Sequence, residues 1–171
     1  MKKSSSADQH RTDAPQRIRC AVITVSDTRT VETDTGGAAV VEHLKSAGHE
    51  IVAREILPDD PDELRKLLNA LSADIRIDTV LMTGGTGITS RDQTFETVDD
   101  LLTRRLPGYG ELFRQLSFAE IGPAAMLSRA QGGLIGATVV LTMPGSPAAV
   151  RLAMERIILP ELGHLVREAG R

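Results

Sequence analysis

The sequence predicts an α/β fold of three layers, with helices on both faces of a central, mostly parallel sheet. Two observations carry that prediction. Short apolar runs rich in branched residues alternate along the chain with segments whose apolar residues recur at helical spacing. The first of these runs, Ile18 to Val25 (I-R-C-A-V-I-T-V), is nearly all apolar after Arg19, as a strand covered on both faces must be.

The elements follow in order. Gly36 to Gly48 places Val40, Val41, Leu44 and Ala47 at helical spacing and ends on a glycine suited to a left-handed cap. His49 to Leu57 reads as a second strand. Asp60-Pro61 opens a helix: a capping aspartate, proline at the first helical position, Asp62 and Glu63 in the first turn, then a stripe of Leu64, Leu67, Leu68 and Leu71. Asp78 to Thr83 is a short buried strand that runs straight into Gly84-Gly85-Thr86-Gly87. Phe95 to Leu102 and Tyr109 to Phe118 are predicted helices, the latter grouping Leu112, Phe113 and Leu116. Leu127 to Thr142 reads as two strands punctuated by Gly132-Gly133 and Gly136. Ser146-Pro147 starts a long last helix, expected to kink or break near Pro160.

A length of 171 residues is that of one domain with a substantial core, read here as residues 17–171 behind a disordered tail, 1–16. The tail is charged and serine-rich, without the apolar core of a signal peptide, and no apolar run reaches the roughly 20 residues that cross a bilayer. A net charge of -3 and 2% aromatic residues argue against a nucleic-acid partner, which would call for a basic or base-stacking surface. The single cysteine, Cys20, excludes an internal disulfide and fits a reducing cytoplasm; inside an apolar strand it reads as an inert core residue. The histidines at 10, 43, 49 and 164 are scattered without metal-ligand spacing.

Three polar turns follow three predicted inner strands: Ser26-Asp27, Gly84 to Asp92, and Pro144-Gly145-Ser146. In an open parallel sheet they would converge on one edge, the edge where such folds bind ligands. Gly84, Gly85 and Gly87 lack a β-carbon, so their N–H groups could approach a phosphate; a ligand-free strand-to-helix turn reads the same way. It is no Walker loop, having no lysine, and no G-x-G-x-x-G, because Ser90 stands in the last glycine position. Asp92 is either a metal-binding carboxylate or the N-cap of the following helix. Asp59, beside the capping Asp60, has no evident structural duty, and carboxylates from two turns suit magnesium, which takes one or two of them plus phosphate oxygens. Asp27 is a third candidate. Ser146 is an N-cap or a phosphate contact, and neither it nor Ser128 has the partners of an activated nucleophile.

T-V-S-D-T (Thr24 to Thr28), G-G-T-G-I-T-S-R-D-Q-T-F-E (Gly84 to Glu96), A-M-L-S-R-A (Ala125 to Ala130) and M-P-G-S-P (Met143 to Pro147) resemble, in order, the MoaB/Mog family of molybdenum-cofactor biosynthesis, to which the gephyrin G domain also belongs. The resemblance spans residues 18 to 166, and Pro107 to Pro123 is more similar to the MoaB branch. It implies a molybdopterin-binding, MogA-like fold, assembled as homotrimers or homohexamers. The implied activity is adenylylation of molybdopterin with magnesium and ATP, releasing pyrophosphate. Asp59 and Asp92 match the family's functional aspartates, which organise metal and triphosphate; Gly84, Gly85, Thr86 and Gly87 match its phosphate turn. Ser128 and Ser146 match pterin-side positions, with Ser26, Asp27, Pro144 and Gly145 in the same motifs. Arg91 and Arg129 are the expected cations for the two polyanions, and Phe113 and Phe118 could face a partner. A non-catalytic pterin carrier or an assembly scaffold of the MoaB branch is the alternative.

Overall fold

The computed structural model describes residues 15–171; the tail expected over 1–16 lies outside the described residues except for Pro15 and Gln16. One six-stranded sheet runs through the molecule in the order β2-β1-β3-β6-β5-β4. Its strands are β1 (Arg19–Val25), β2 (Glu50–Leu57), β3 (Thr79–Thr83), β4 (Arg104–Arg105), β5 (Gly132–Ile135) and β6 (Thr138–Met143). The first three strands and β6 are parallel, while β5 and β4 extend the sheet as antiparallel edge strands.

Alternation along the strands divides the core. Cys20, Val22, Leu81, Val139, Leu141 and Met143 face one layer of helices, and Ala21, Ile23, Val80, Met82 and Val140 face the other. The first layer holds α1 (Thr35–Ser46), α4 (Pro107–Ile121), α5 (Pro147–Ala153) and α6 (Leu159–Ala169), which bring in Val40, Leu44, Phe113, Val150 and Leu162. The second holds α2 (Pro61–Ala73) and α3 (Thr94–Leu101), through Leu64, Leu68 and Val98. Three layers and a mostly parallel sheet are thus as the alternation of apolar patterns requires.

Local chemistry sets the boundaries. Asp60 Oδ1 accepts from the N–H groups of Asp62 and Glu63 at 2.9 and 3.1 Å, capping α2 as expected. Asp34 does the same for α1, accepting from Gly37 at 2.8 Å, and Gly48 follows that helix with φ of 83°. Two sequence expectations need correction, and one short strand falls outside them. Leu112 is half exposed on α4, so the apolar group there is Tyr109, Phe113 and Leu116. Gly132 and Gly133 lie inside β5 rather than interrupting it. A β-carbon on Gly133 would meet the Arg104 carbonyl at 2.3 Å, so the approach of β4 demands that glycine, while one on Gly132 would press on the buried Leu141 side chain at 2.5 Å. The two-residue β4, Arg104–Arg105, carries no apolar pattern to betray it. The last helix is interrupted near Pro160 as expected: a π turn over Met154–Ile158 lies just before the proline and rearranges the backbone where its ring and missing N–H would disrupt the ladder.

Candidate active site

The parallel strands β1, β2, β3 and β6 all end on one side of the sheet, and the turns after them meet there. The Gly84 N–H donates to the Met143 carbonyl at 3.0 Å, joining the turn after β3 to the one after β6. The Ser26 N–H donates to the Leu57 carbonyl at 2.9 Å, joining the turns after β1 and β2. The predicted convergence of Ser26-Asp27, Gly84 to Asp92 and Pro144 to Ser146 is therefore what the register produces, and Pro58-Asp59 joins them as a fourth turn.

The glycine turn is shaped from within. Gly84 has φ of 94°, and a β-carbon there would lie 2.2 Å from the Val25 carbonyl. Gly85 has φ of 64°, with the Thr94 hydroxyl 2.0 Å from the same hypothetical carbon. Both glycines are demanded by left-handed backbone and by protein neighbours, whatever binds in front of them. Thr86 is buried, and its carbonyl accepts from the Arg129 N–H at 3.4 Å.

Asp59 proves to have a structural duty that the sequence did not suggest. Its Oδ1 accepts from the Thr94 hydroxyl at 3.0 Å and its Oδ2 from the Gln93 N–H at 3.2 Å, so it caps α3 from another turn. Asp92 does not cap that helix. Gln93 occupies the cap position without a side-chain bond, while Asp92 Oδ2 accepts from the N–H and hydroxyl of Thr89 at 3.0 and 2.6 Å. Partial burial pushes the Asp59 carboxyl above its ordinary range, against the Thr94 and Gln93 bonds and with help from the nearby charges of Asp92 and Asp27. Asp27 is held low chiefly by Arg91, whose Nε lies 2.8 Å and Nη2 2.7 Å from Oδ2, and its Oδ1 accepts from the Asp59 N–H at 3.4 Å.

The two arginines expected to receive polyanions are thus committed elsewhere. Arg91 bridges to Asp27. Arg129 donates to the Gly87 carbonyl at 2.7 Å and the Asp92 carbonyl at 2.9 Å, pairs with Glu96, and lies over the Phe95 ring at 5.1 Å. It clamps the glycine turn to α3. Ser128 lies beyond that clamp, its hydroxyl oxygen accepting from the Ala130 N–H at 3.3 Å, while Ser146 Oγ caps α5 by accepting from Ala149 at 3.3 Å.

Two cavities flank the ridge formed by Gly84, Gly85 and Gly145. One, about 380 Å³, is largely apolar, with Phe113, Ile121, Ala125 and Leu127 facing Gly85, Thr86, Gly87, Ser128, Pro144 and Ser146. The other, about 430 Å³, is polar and lined by Thr24, Ser26, Arg29, Asp34, Thr35 and Thr83, sharing Gly145 and Ser146 with the first. Sequence reasoning missed Asp34, Arg54 and Arg29. Asp34 is 3% exposed and accepts from Gly37, from the Thr24 hydroxyl at 2.8 Å and from Arg54 Nη2 at 3.0 Å. Its position ahead of Gly36-Gly37 is a helix-cap signal that could have marked it. Arg54, in a strand, gives no such signal.

Nothing in the donor set resembles a metal cage: among the described residues no three histidine, cysteine or acidic side chains cluster around a common point. Asp92 keeps Oδ1 outside its bonds to Thr89, and Asp59 makes one bond per oxygen. Such carboxylates fit an ion that brings phosphate oxygens and waters of its own, as magnesium does.

Comparison with known proteins gives the family. Residues 21–164 match the family described as the probable molybdopterin binding domain. The chain is 50% identical over 167 residues to the molybdenum cofactor biosynthesis protein B of Bacillus cereus, covering 97% of this chain and 99% of that one. A crystal structure of a molybdenum cofactor biosynthesis protein B superposes with a TM-score of 0.89 at 52% identity, over 92% of this chain and 99% of that one. The tungsten cofactor synthesizing protein MoaB of Pyrococcus furiosus superposes with a TM-score of 0.82 at 37% identity, over 92% and 100% of the two chains. A likeness of this extent, carried by both sequence and fold, means that the chain belongs to the MoaB/Mog family of molybdenum-cofactor biosynthesis proteins.

Proposed function

We propose that the protein adenylylates molybdopterin, using ATP and magnesium and releasing pyrophosphate. The observation that carries this reading is that Asp59 and Asp92 both border the glycine turn, Asp59 against Gly85 and Asp92 against Gly87, at the edge where four parallel strands end. In the reaction an oxygen of the pterin's terminal phosphate attacks the α-phosphorus of ATP. The bond from that phosphorus to the bridging oxygen breaks, and pyrophosphate leaves with the bonding pair. This needs alignment and charge neutralisation rather than a protein nucleophile, which agrees with Ser128 and Ser146 serving as backbone caps and cavity lining.

Asp59 and Asp92 would hold the magnesium ion, which when bound neutralises charge on the phosphates and the leaving pyrophosphate. The chain supplies the rest. Arg129 fixes the carbonyls of Gly87 and Asp92, and therefore the shape of the glycine turn. The apolar cavity between Phe113, Ile121 and Leu127 offers a dry wall for a flat ring, with Ser128, Pro144, Gly145 and Ser146 along its rim. Ser26 lines the polar cavity, and Asp27 lies beside Asp59 and accepts from its N–H.

We assign the reaction to the cytoplasm and the protein to a homotrimer or homohexamer. Leu112, Phe118, Ile121, Met126 and Leu127 are each at least half exposed along α4 and the turn that follows it, a surface suited to a second copy. Phe113, expected to share that role, is instead buried in the core. Among the described residues no helix is long and apolar enough to cross a membrane.

The deciding experiment is pyrophosphate release from molybdopterin, ATP and magnesium, run beside Asp92→Asn and an Asp59→Ala/Asp92→Ala variant. Release by the wild type and loss in folded variants is expected. Wild-type turnover in Asp92→Asn would refute the metal role, and pterin binding without any release would leave a carrier instead.

A further inference from the structure

The polar cavity carries a charge balance that none of the sequence motifs announces. Its one carboxylate, Asp34, is already neutralised by Arg54 at 3.0 Å and by two further donors. Its one cation, Arg29, is not paired with any carboxylate among the described residues; its Nη1 donates to the Thr33 carbonyl at 2.9 Å. The cavity therefore holds one uncompensated positive charge in a chain of net charge -3. The other arginines of the site, Arg91 and Arg129, are paired with Asp27 and Glu96.

The cavity is also rich in hydroxyl donors. Ser26 Oγ accepts from the N–H groups of Thr28 and Arg29 at 3.3 and 3.2 Å, which fixes where the Arg29 side chain starts and leaves the serine hydrogen free to donate. Ser146 Oγ likewise accepts from Ala149, and Thr35 lines the same space. One guanidinium with two or three hydroxyls matches a single phosphate dianion, since Arg forms charge-assisted bonds to two phosphate oxygens while hydroxyls serve the third. It does not match a triphosphate, whose larger charge needs the metal carried by Asp59 and Asp92.

We infer that Arg29 binds the phosphomonoester of the acceptor substrate in this cavity, apart from the carboxylates that serve the nucleotide. The inference rests on the adenylyl-acceptor reading given above and assigns it a residue outside the expected set. The alternative duty of Arg29 is to brace its own loop through Thr33, and the test must separate the two.

Equilibrium binding of molybdopterin and of its dephosphorylated form, without ATP or metal, makes that separation. Arg29→Gln should weaken molybdopterin about 10- to 100-fold, the range for a hydrogen bond to a charged group, and leave the dephosphorylated pterin and Mg-ATP unchanged. Arg29→Lys should recover part of the loss. Equal weakening of both pterin forms would reduce Arg29 to a brace, and weakening of Mg-ATP alone would give the cavity to the nucleotide; either result overturns this inference alone. A wild-type protein that binds no pterin overturns it together with the reading on which it rests, and pyrophosphate assays then report on that reading separately.

Discussion

Replacing Asp34 by alanine removes three interactions at once: with Gly37 at 2.8 Å, Thr24 at 2.8 Å and Arg54 at 3.0 Å. The larger consequence falls on Arg54, whose Nε is already buried without a partner. Breaking a buried pair costs about 3–5 kcal/mol, because one charge stays behind uncompensated. The Arg54 side chain keeps 27% of its exposure, so water reaches part of the orphan and the low end applies, about 3 kcal/mol. In a domain of this size that lowers Tm by about 6–12 °C. Urea titration and thermal melts read the loss directly. An Asp34→Ala/Arg54→Met variant should lose less than Asp34→Ala alone, since no charge is then stranded.

The pH dependence has a defined sign. Burial works against ionisation of Asp34, but Gly37, Arg54 and Thr24 outweigh it and hold the carboxyl below its ordinary range. A lowered folded value means the contribution is complete above the unfolded value, about 3.9, and disappears as pH falls through the folded one. The stability gap between wild type and Asp34→Ala should therefore narrow below about pH 4. A loss under about 1 kcal/mol at neutral pH, or a double variant whose loss is the sum of the single ones, would refute the account.

Other expectations are as direct. Gly84→Ala should cost more than Gly48→Ala, about 2–4 against about 1 kcal/mol in denaturant titration. Both sites have positive φ, but only at Gly84 would the new carbon strike backbone, the Val25 carbonyl; equal costs would remove that contact from the argument. Arg129→Met should leave the melting temperature within a few degrees and sharply lower turnover, because it frees the Gly87 and Asp92 carbonyls rather than opening the core; unaltered turnover would contradict the clamp. Burial pushes the Cys20 thiol up to about 12, so a thiol reagent at neutral pH should label it only after unfolding, and rapid labelling of native protein would contradict its place in the sheet.

What the sequence revealed depended on how local the cause was. The strand Asp78 to Thr83 and the Asp60 helix are written in consecutive residues, and their pattern matched because apolar burial and capping act over a few positions. The glycine turn was legible as a strand-to-helix turn at the end of β3, but its glycines answer to Val25, Thr94 and Asp59, contacts that no spacing rule contains. Asp59 looked idle beside Asp60 because the helix it caps begins 35 residues later. Arg129 looked available because Glu96 and the Gly87 carbonyl reach it only through the fold. Charge partners across turns were the recurring blind spot, and they decide which side chains are left for a ligand.

The sheet order also governs how the chain can be made. β1, β2 and β3 are complete once Thr83 has been synthesised, and they pair with one another, so this half can organise early. The partner of β3 on its other side is β6, which begins at Thr138. Until that strand emerges from the ribosome, the fully buried run Thr79 to Thr83 stands as an open apolar edge, the feature that invites pairing between nascent chains. The strand that completes the edge bearing the polar cavity is therefore also the one that seals the sheet, and a chain halted before Thr138 lacks both.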